Sequence, residues 1–511
     1  MKRKIDSSFK SGKKQLILNI IANVISYGIG IGISFILTPI LIDKLGRDAY
    51  SFYPLSTTIT NTMTIVTTSL NSMASRFIAI SLHKKDEKNA NSYFASTLFT
   101  DSILSLILLA IMTVFILCIN YILNIPINLV ASVRTLFIFT FSSMLVNVMS
   151  TVFGVATFAK NRIDLRSYRE IAASIIRLAL FILFYFVLPP SLIYIGIITL
   201  IVAIFNLVIQ FLFTRKLLPE IKLSRKNVSK EHIKRLFSRS VWVMLNSLGN
   251  TLLASGTLFL LNRLYGTSES SVVSIDLTIP SFMGGIISML GGVYFPIITK
   301  KYADNDIEGL VKETETVQLV VGSIGCAIIA VFSALSPVFF ALWVPTENNN
   351  LLAMLSLINL APYLTTSCFW VCTSVNTAMN KVKVPAIATL IFGSICILSQ
   401  LLFGLLKINY ISLPIICSIV QLLWTGVFMP IYLSKTLHKK WYYFFPPFLK
   451  LLGISIFVYG LVFALSEFIF INSWIKFILF GGVFGLISLA LFFVILQPNV
   501  INKIYKKVIK K

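Results

Sequence analysis

The chain has 511 residues, 57% hydrophobic and only 12% charged, with a mean hydropathy of +0.87 and a formal net charge of +25. That balance excludes a soluble globule, whose apolar share is typically about half. It does not imply a nucleic-acid binder either, because Lys and Arg stand almost wholly in short loops between apolar runs, which is a topology pattern rather than a basic face.

Apolar runs of membrane length, ~20 residues each without period-2 alternation, point to helices rather than a barrel. They fall near 16–41, 51–81, 92–123, 130–159, 169–188 and 191–213, then 240–263, 271–299, 313–343, 351–379, 384–406 and 410–433, with a final pair near 447–470 and 474–497. The first run follows a basic start. It is too long for a signal-peptide core and lacks a small-residue cleavage site, so it is expected to be retained as a span. The predicted class is therefore all-α, a polytopic membrane protein of fourteen transmembrane helices, with two six-helix lobes in parallel repeat plus two extra C-terminal helices. The expected divisions are a basic tail at 1–15, an N-terminal lobe at 16–215, a basic connector at 216–239, a C-terminal lobe at 240–434, a helix pair at 446–498 and a basic tail at 499–511.

An internal repeat carries the division into lobes. Ser69 to Lys88 has a counterpart from Met289 to Glu308, with the same small-residue run, basic exit and acidic turn, and Arg76 falls on Pro296, an offset of 220. Leu45–Gly46 falls on Tyr265–Gly266, and Ala159–Lys160–Asn161 on Met379–Asn380–Lys381, at the same offset. A period of this length is too long for a solenoid and suits a transporter built from two parallel helical bundles.

Assigning loops to alternate sides puts 37 of the 44 Lys and Arg on one side and 6 on the other, with Arg177 inside a span. By the positive-inside rule both termini are expected to be cytoplasmic in a multi-pass protein of the cell membrane. Trp242, Trp343, Trp441 and Trp474 fall at predicted span ends, while Trp370 and Trp424 read as packing residues. His83, His232 and His438 all lie in loops on the basic side, so a buried His relay is not expected. Cys118, Cys326, Cys368, Cys372, Cys396 and Cys417 lie inside apolar runs as small hydrophobes. Cys368 and Cys372 share a helix face but lack nearby His or acidic partners, so no metal site is expected. No catalytic constellation appears and no cofactor is expected.

The second span is uncharged from Ala49 to Ser75, yet Thr57, Asn61, Thr64, Thr68, Asn71 or Ser72, and Ser75 recur every three or four residues as one polar stripe. Ser281, Gly284, Ser288 and Gly291 hold the equivalent face of the eighth span. Such a stripe fits a water-filled cavity, and it also fits close helix packing. Asn19 with Asn23, and Asn246 with Asn250, open spans one and seven on one face each. Gly28, Gly30 and Gly32 follow in span one, as a gating hinge or as a packing surface. Arg177 and Asp101 reach similar depths from the same side. Each should face protein or water, and they read either as an ion pair or as substrate-binding or switching groups. Asp276, near the outer surface with Arg47 and Arg263 at the outer mouth, reads as a solvated or capping carboxylate. The connector's nine basic residues read first as topology determinants and second as an attraction to anionic lipid.

The stretches Phe35 to Tyr53 (FILTPILIDKLGRDAYSFY), Leu70 to Phe77 (LNSMASRF) and Asn89 to Ser96 (NANSYFAS) resemble the Wzx-type polysaccharide flippases of the multidrug/oligosaccharidyl-lipid/polysaccharide exporter superfamily. The resemblance is greatest to the branch exporting capsular or exopolysaccharide repeat units. It is dense over the first 165 residues, weaker in the second copy, and is joined there by Lys300 to Glu308. It implies fourteen helices, two lobes about a central cavity, and alternating-access flipping of an undecaprenyl-diphosphate-linked oligosaccharide from the inner to the outer leaflet. That step would serve capsule, exopolysaccharide or O-antigen synthesis, with a polymerase and chain-length proteins of the same pathway as partners. Basic residues in such cavities bind the diphosphate. Here the first span has no cation between Lys14 and Lys44, which leaves Arg177 and Arg76 as candidates. The rival reading is a cation-coupled drug or metabolite exporter using Asp101 and Asp276, and a non-transporting scaffold for glycan assembly is a third.

Overall fold

In the computed structural model, residues 2–160, 162–221, 227–469 and 471–496 are described; the 499–511 tail and residues 222–226 of the connector lie outside them. The described chain is helical throughout. In order the helices are α1 (Lys2–Leu45), α2 (Arg47–Met63), α3 (Ile65–His83), α4 (Glu87–Leu117), α5 (Ile119–Ile122), α6 (Val130–Phe153), α7 (Val155–Ala159), α8 (Ile163–Val187) and α9 (Ile193–Leu217). They continue as α10 (Lys230–Leu264), α11 (Thr267–Asp276), α12 (Thr278–Ala303), α13 (Ile307–Trp343), α14 (Asn349–Ala378) and α15 (Lys383–Leu405). The last are α16 (Ser412–Leu422), α17 (Met429–Thr436), α18 (Phe445–Phe468) and α19 (Trp474–Leu496), with a π-helical segment, Leu423–Phe428, joining α16 to α17.

Among the described residues twelve helical segments are long and apolar enough to cross a membrane, thirteen if Lys230–Ala254 and Gly256–Leu264, bent by 43°, count as one. This is a multi-pass membrane protein. The α2–α3 pair is not among them, since its threonines and asparagines dilute its hydrophobicity. Four expected spans are broken by a residue or two of looser backbone. The second divides at Thr64, the third at Cys118, the fourth at Gly154, and the eighth at Leu277. The expected connector is also shorter than read, because its residues from Lys230 onward already belong to α10.

The 220-residue offset reappears in the backbone. Gly46 and Gly266 end α1 and α10 with φ of 81° and 113°, a left-handed turn that a side chain would strain. Lys85 and Asn305 both adopt positive φ, 59° and 56°, at the exits of α3 and α12. One residue later Asp86 and Asp306 cap α4 and α13, accepting the backbone N–H of Asn89 at 3.0 Å and of Gly309 at 2.8 Å. Local sequence at each turn selects the same stop, turn and cap twice.

The chain forms two compact units, Met1–Thr251 with Leu261–Ser271, and Leu252–Leu260 with Val272–Lys511. In the first, α6 packs along α9, α1 along α8, and α3 along α4 and α7. Its core joins Leu70, Ala74 and Ile78 of α3 to Phe94, Phe153 and Leu236. In the second, α13 is the hub, packed against α12, α14, α18 and α19. A Cβ at Gly325 of α13 would overlap the Ser367 side chain, and one at Gly291 of α12 would overlap the Trp370 ring, so small residues set how closely these helices approach. The glycines of α1 behave differently. A Cβ at Gly28, Gly30 or Gly32 meets nothing within 4 Å, which removes the packing explanation for them.

Candidate functional site: a polar cavity in the first unit

The break at Thr64 lets α2 and α3 present their polar stripe to an open space. A cavity of about 370 Å³ is walled there by Thr57, Thr60, Asn61, Thr64, Thr67 and Thr68. Helix α6 supplies Thr140, Ser143, Asn147 and Thr151, α9 supplies Thr199 and Asn206, and Arg177 projects from α8. The threonine hydroxyls of α2 and α3 donate to their own helix. Thr57 donates to the Tyr53 carbonyl at 3.1 Å, Thr60 to Ser56 at 2.9 Å, Thr64 to Asn61 at 2.9 Å and Thr68 to Thr64 at 2.9 Å. A hydroxyl whose proton is committed to the backbone keeps its lone pairs for the cavity. The wall is thus rich in acceptors, with amides from Asn61, Asn147 and Asn206 and the guanidinium of Arg177 as donors.

Arg177 has no hydrogen-bond or ion-pair partner among the described residues, and its Nε is shielded from solvent, as is the Oδ1 of Asn206. Arg177 is half-buried and lines the cavity, a place from which a guanidinium can donate to an anionic ligand.

Asp101 does not pair with Arg177. It is fully buried, and its Oδ2 accepts from Asn71 Nδ2 at 2.7 Å while Asn71 also reaches the Thr67 carbonyl and Thr151 Oγ1, each at 2.9 Å. Thr67 and Thr151 line the cavity, so this pair braces the wall from behind. The remaining stripe residues divide. Ser75 is half-buried and Arg76 is exposed, and neither lines the cavity. Asn19 is buried and accepts the Asp164 backbone N–H at 3.0 Å, whereas Asn23 is exposed.

In the second unit Asp276 departs from the sequence reading. It is not a solvated group at a mouth but fully buried, with Oδ2 accepting from Asn359 Nδ2 of α14 at 2.7 Å and Oδ1 unpartnered. The reading went wrong because distance from a span end says nothing about α14, which closes over that position. Ser281 and Ser288 are exposed, while a Cβ at Gly284 would crowd Tyr363 at 3.1 Å, so the face read as one stripe is split between exposure and packing. Asn250 donates to Asn246 Oδ1 at 2.6 Å. Arg263 is exposed, and Arg47 donates to Ser268 Oγ at 3.1 Å.

The α6 and α9 walls went unread. Thr140, Ser143, Asn147 and Thr151 recur every three or four residues, a signal of the same kind as the α2–α3 stripe, and Asn206 is an amide in an apolar run with Gln210 four residues on.

Comparison with known proteins places these features. The profile of a family described as "Polysaccharide biosynthesis protein" matches residues 16–301. The chain is 25% identical over 459 residues to the "Uncharacterized membrane protein EpsK" of Bacillus subtilis (strain 168), covering 89% of this chain and 90% of that protein. Among solved structures it is similar to the lipid II flippase MurJ in an inward closed conformation, with a TM-score of 0.66, 14% identity, and coverage of 95% of this chain and 100% of that one. It is also similar to the Vibrio cholerae MATE transporter VcmN, with a TM-score of 0.62, 15% identity, and coverage of 86% and 100%. At these identities the likeness to solved structures is one of fold.

Proposed function

Because this chain belongs to the polysaccharide biosynthesis protein family, we propose that it is a flippase that carries an undecaprenyl-diphosphate-linked oligosaccharide repeat unit from the inner to the outer leaflet. The observation that carries this reading is the first-unit cavity, an acceptor-rich wall facing an unpaired Arg177. A glycan needs hydroxyl and amide partners along its path, a diphosphate needs a cation, and a polyprenyl tail can stay in the bilayer. The MurJ-like fold is in keeping with a lipid-linked cargo.

On this reading the α2–α3 pair is the remaining span, polar because it faces the substrate, and it brings thirteen to fourteen in two lobes of six plus a terminal pair. The termini are cytoplasmic, as the loop charges indicate. The test is deletion of the gene followed by leaflet-resolved analysis of lipid-linked repeat units. Accumulation on the cytoplasmic face, reversed by the intact gene, supports flipping; unchanged distribution rejects it.

A second reading, a cation-coupled exporter of drugs or metabolites, is favoured by Asp101 and Asp276, each buried with one carboxylate oxygen unpartnered. Proteoliposomes separate the two. Drug efflux driven by a sodium or proton gradient, without any effect on lipid-linked glycan, would select the exporter.

A further inference from the structure

A second cavity lies apart from the polar one, where α3 turns into α4. Its volume is about 480 Å³, and it is lined by Ala79, Ile80 and Leu82 of α3, Ala159 of α7, and two lysines, Lys84 and Lys160. The cations occupy matching places. Lys84 is the residue that ends α3 and Lys160 the one that ends α7, so each sits where the helix's terminal carbonyls favour positive charge. Neither is neutralised by a tight ion pair. Lys84 forms no salt bridge among the described residues, since the nearby Asp86 is engaged as the α4 cap with Asn89. Lys160 meets Glu220 Oε1 at 3.3 Å with its side chain 45% exposed, a loose contact of the kind that contributes little.

The apolar part of the site is equally specific. Ile80 is 51% exposed and Phe158, beside Ala159, is 54% exposed, so two large hydrophobic side chains stand open next to the lysines. Ammonium groups at the rim with an open alkyl surface beside them form the arrangement an amphiphile with an anionic head fills at a bilayer interface.

The internal repeat supplies a control. At the 220-residue offset Lys84 becomes Asp304, with the helix end and the following positive-φ turn kept, and Lys160 becomes Asn380. At the exit of α3 the same frame therefore forms without the cation, and Lys84 is not needed to build it.

We infer that this cavity is a docking site for one anionic phospholipid of the adjoining leaflet, its phosphate held by Lys84 and Lys160 and its acyl chains laid over Ile80 and Phe158. The site is separate from the transport cavity and does not depend on what that cavity carries. It ties the end of α3, whose first turn lines the polar cavity, to the charge of the surrounding membrane.

The test uses the full-length protein released from nanodiscs holding equal phosphatidylglycerol and phosphatidylcholine, with retained lipids weighed by native mass spectrometry. Each lysine near a charged surface should favour the anionic lipid roughly 5-fold, so the Lys84→Gln/Lys160→Gln double variant should lose a preference of ~30-fold. Glu220→Gln should raise the preference, because it removes the acid that competes for Lys160; no folding defect mimics a gain. Unchanged retention in both variants overturns the inference. So does loss of added undecaprenyl diphosphate with phosphatidylglycerol untouched, which would assign the site to a polyprenyl carrier. Displacement of phosphatidylglycerol by inorganic phosphate alone at equal concentration overturns it too, in favour of a free anion.

Discussion

Arg177→Ala removes the one cation that lines the first-unit cavity among the described residues. The guanidinium makes no hydrogen bond or ion pair among the described residues, so the substitution breaks no internal contact and should leave folding and membrane insertion intact. Its effect should appear only when cargo is present. A hydrogen bond to a charged group contributes roughly 1.5–3 kcal/mol, and at about 1.4 kcal/mol per decade the variant should bind a diphosphate-linked glycan ~10- to 150-fold more weakly. Arg177→Lys keeps the charge but not the two-pronged donor geometry and should fall between. The assay is titration of fluorescent undecaprenyl-diphosphate oligosaccharide against protein in proteoliposomes, followed by chemical quenching of the outer leaflet to count flipped molecules. Wild-type binding and flipping in Arg177→Ala, at wild-type protein levels, would refute the role given to this side chain.

Three further outcomes follow from the geometry. Asn359→Leu leaves the buried Asp276 carboxyl without its donor and should cost ~1–3 kcal/mol, read as a lower thermal midpoint in detergent; adding Asp276→Leu should recover most of it, and failure to recover would mean the pair is not the cause. Replacing Gly28, Gly30 and Gly32 together with Ala introduces no clash and should stiffen α1, since Gly in a helix is ~0.8–1.0 kcal/mol less favourable than Ala. Protein yield should hold while translocation slows, and an unchanged rate would remove the hinge. Finally, the Lys301 ammonium at 2.6 Å and the Gly309 N–H hold the Asp306 carboxyl below its ordinary value of 3.8. A carboxyl depressed in the folded state stabilises fully above that ordinary value and stops doing so as pH falls through the folded one. The stability difference between wild type and Asp306→Ala should therefore be constant at neutral pH and vanish on acidification below 3.8; a difference that grows in acid would contradict the cap.

The ends of helices were the legible part. Gly46 and Gly266, and the acids at 86 and 306, are local signals whose physics needs no partner, and the offset between them could be counted from the letters alone. Period-four spacing likewise gave the face of α2 and α3. What lies opposite that face was not legible, because periodicity orients a side chain without naming its neighbour. Asp101 was therefore matched to Arg177 by depth when Asn71, thirty residues earlier in the chain, holds it instead. Asp276 was placed in water because Asn359 of α14 is 83 residues away in sequence. The breaks at Thr64 and Leu277 also escaped notice, since neither is marked by Gly or Pro.

The self-satisfied threonines of α2 and α3 bear on cargo tolerance. A lining that demanded hydrogen from each visitor in a fixed direction would grip one stereochemistry and stall on its epimer. Here the protons stay within the helices, so a polyol can slide and re-register along oxygen after oxygen without breaking anything the protein itself requires. Such a surface would let one carrier serve as a host's surface sugars diversify, with selectivity resting on the anionic anchor rather than on the sugars behind it.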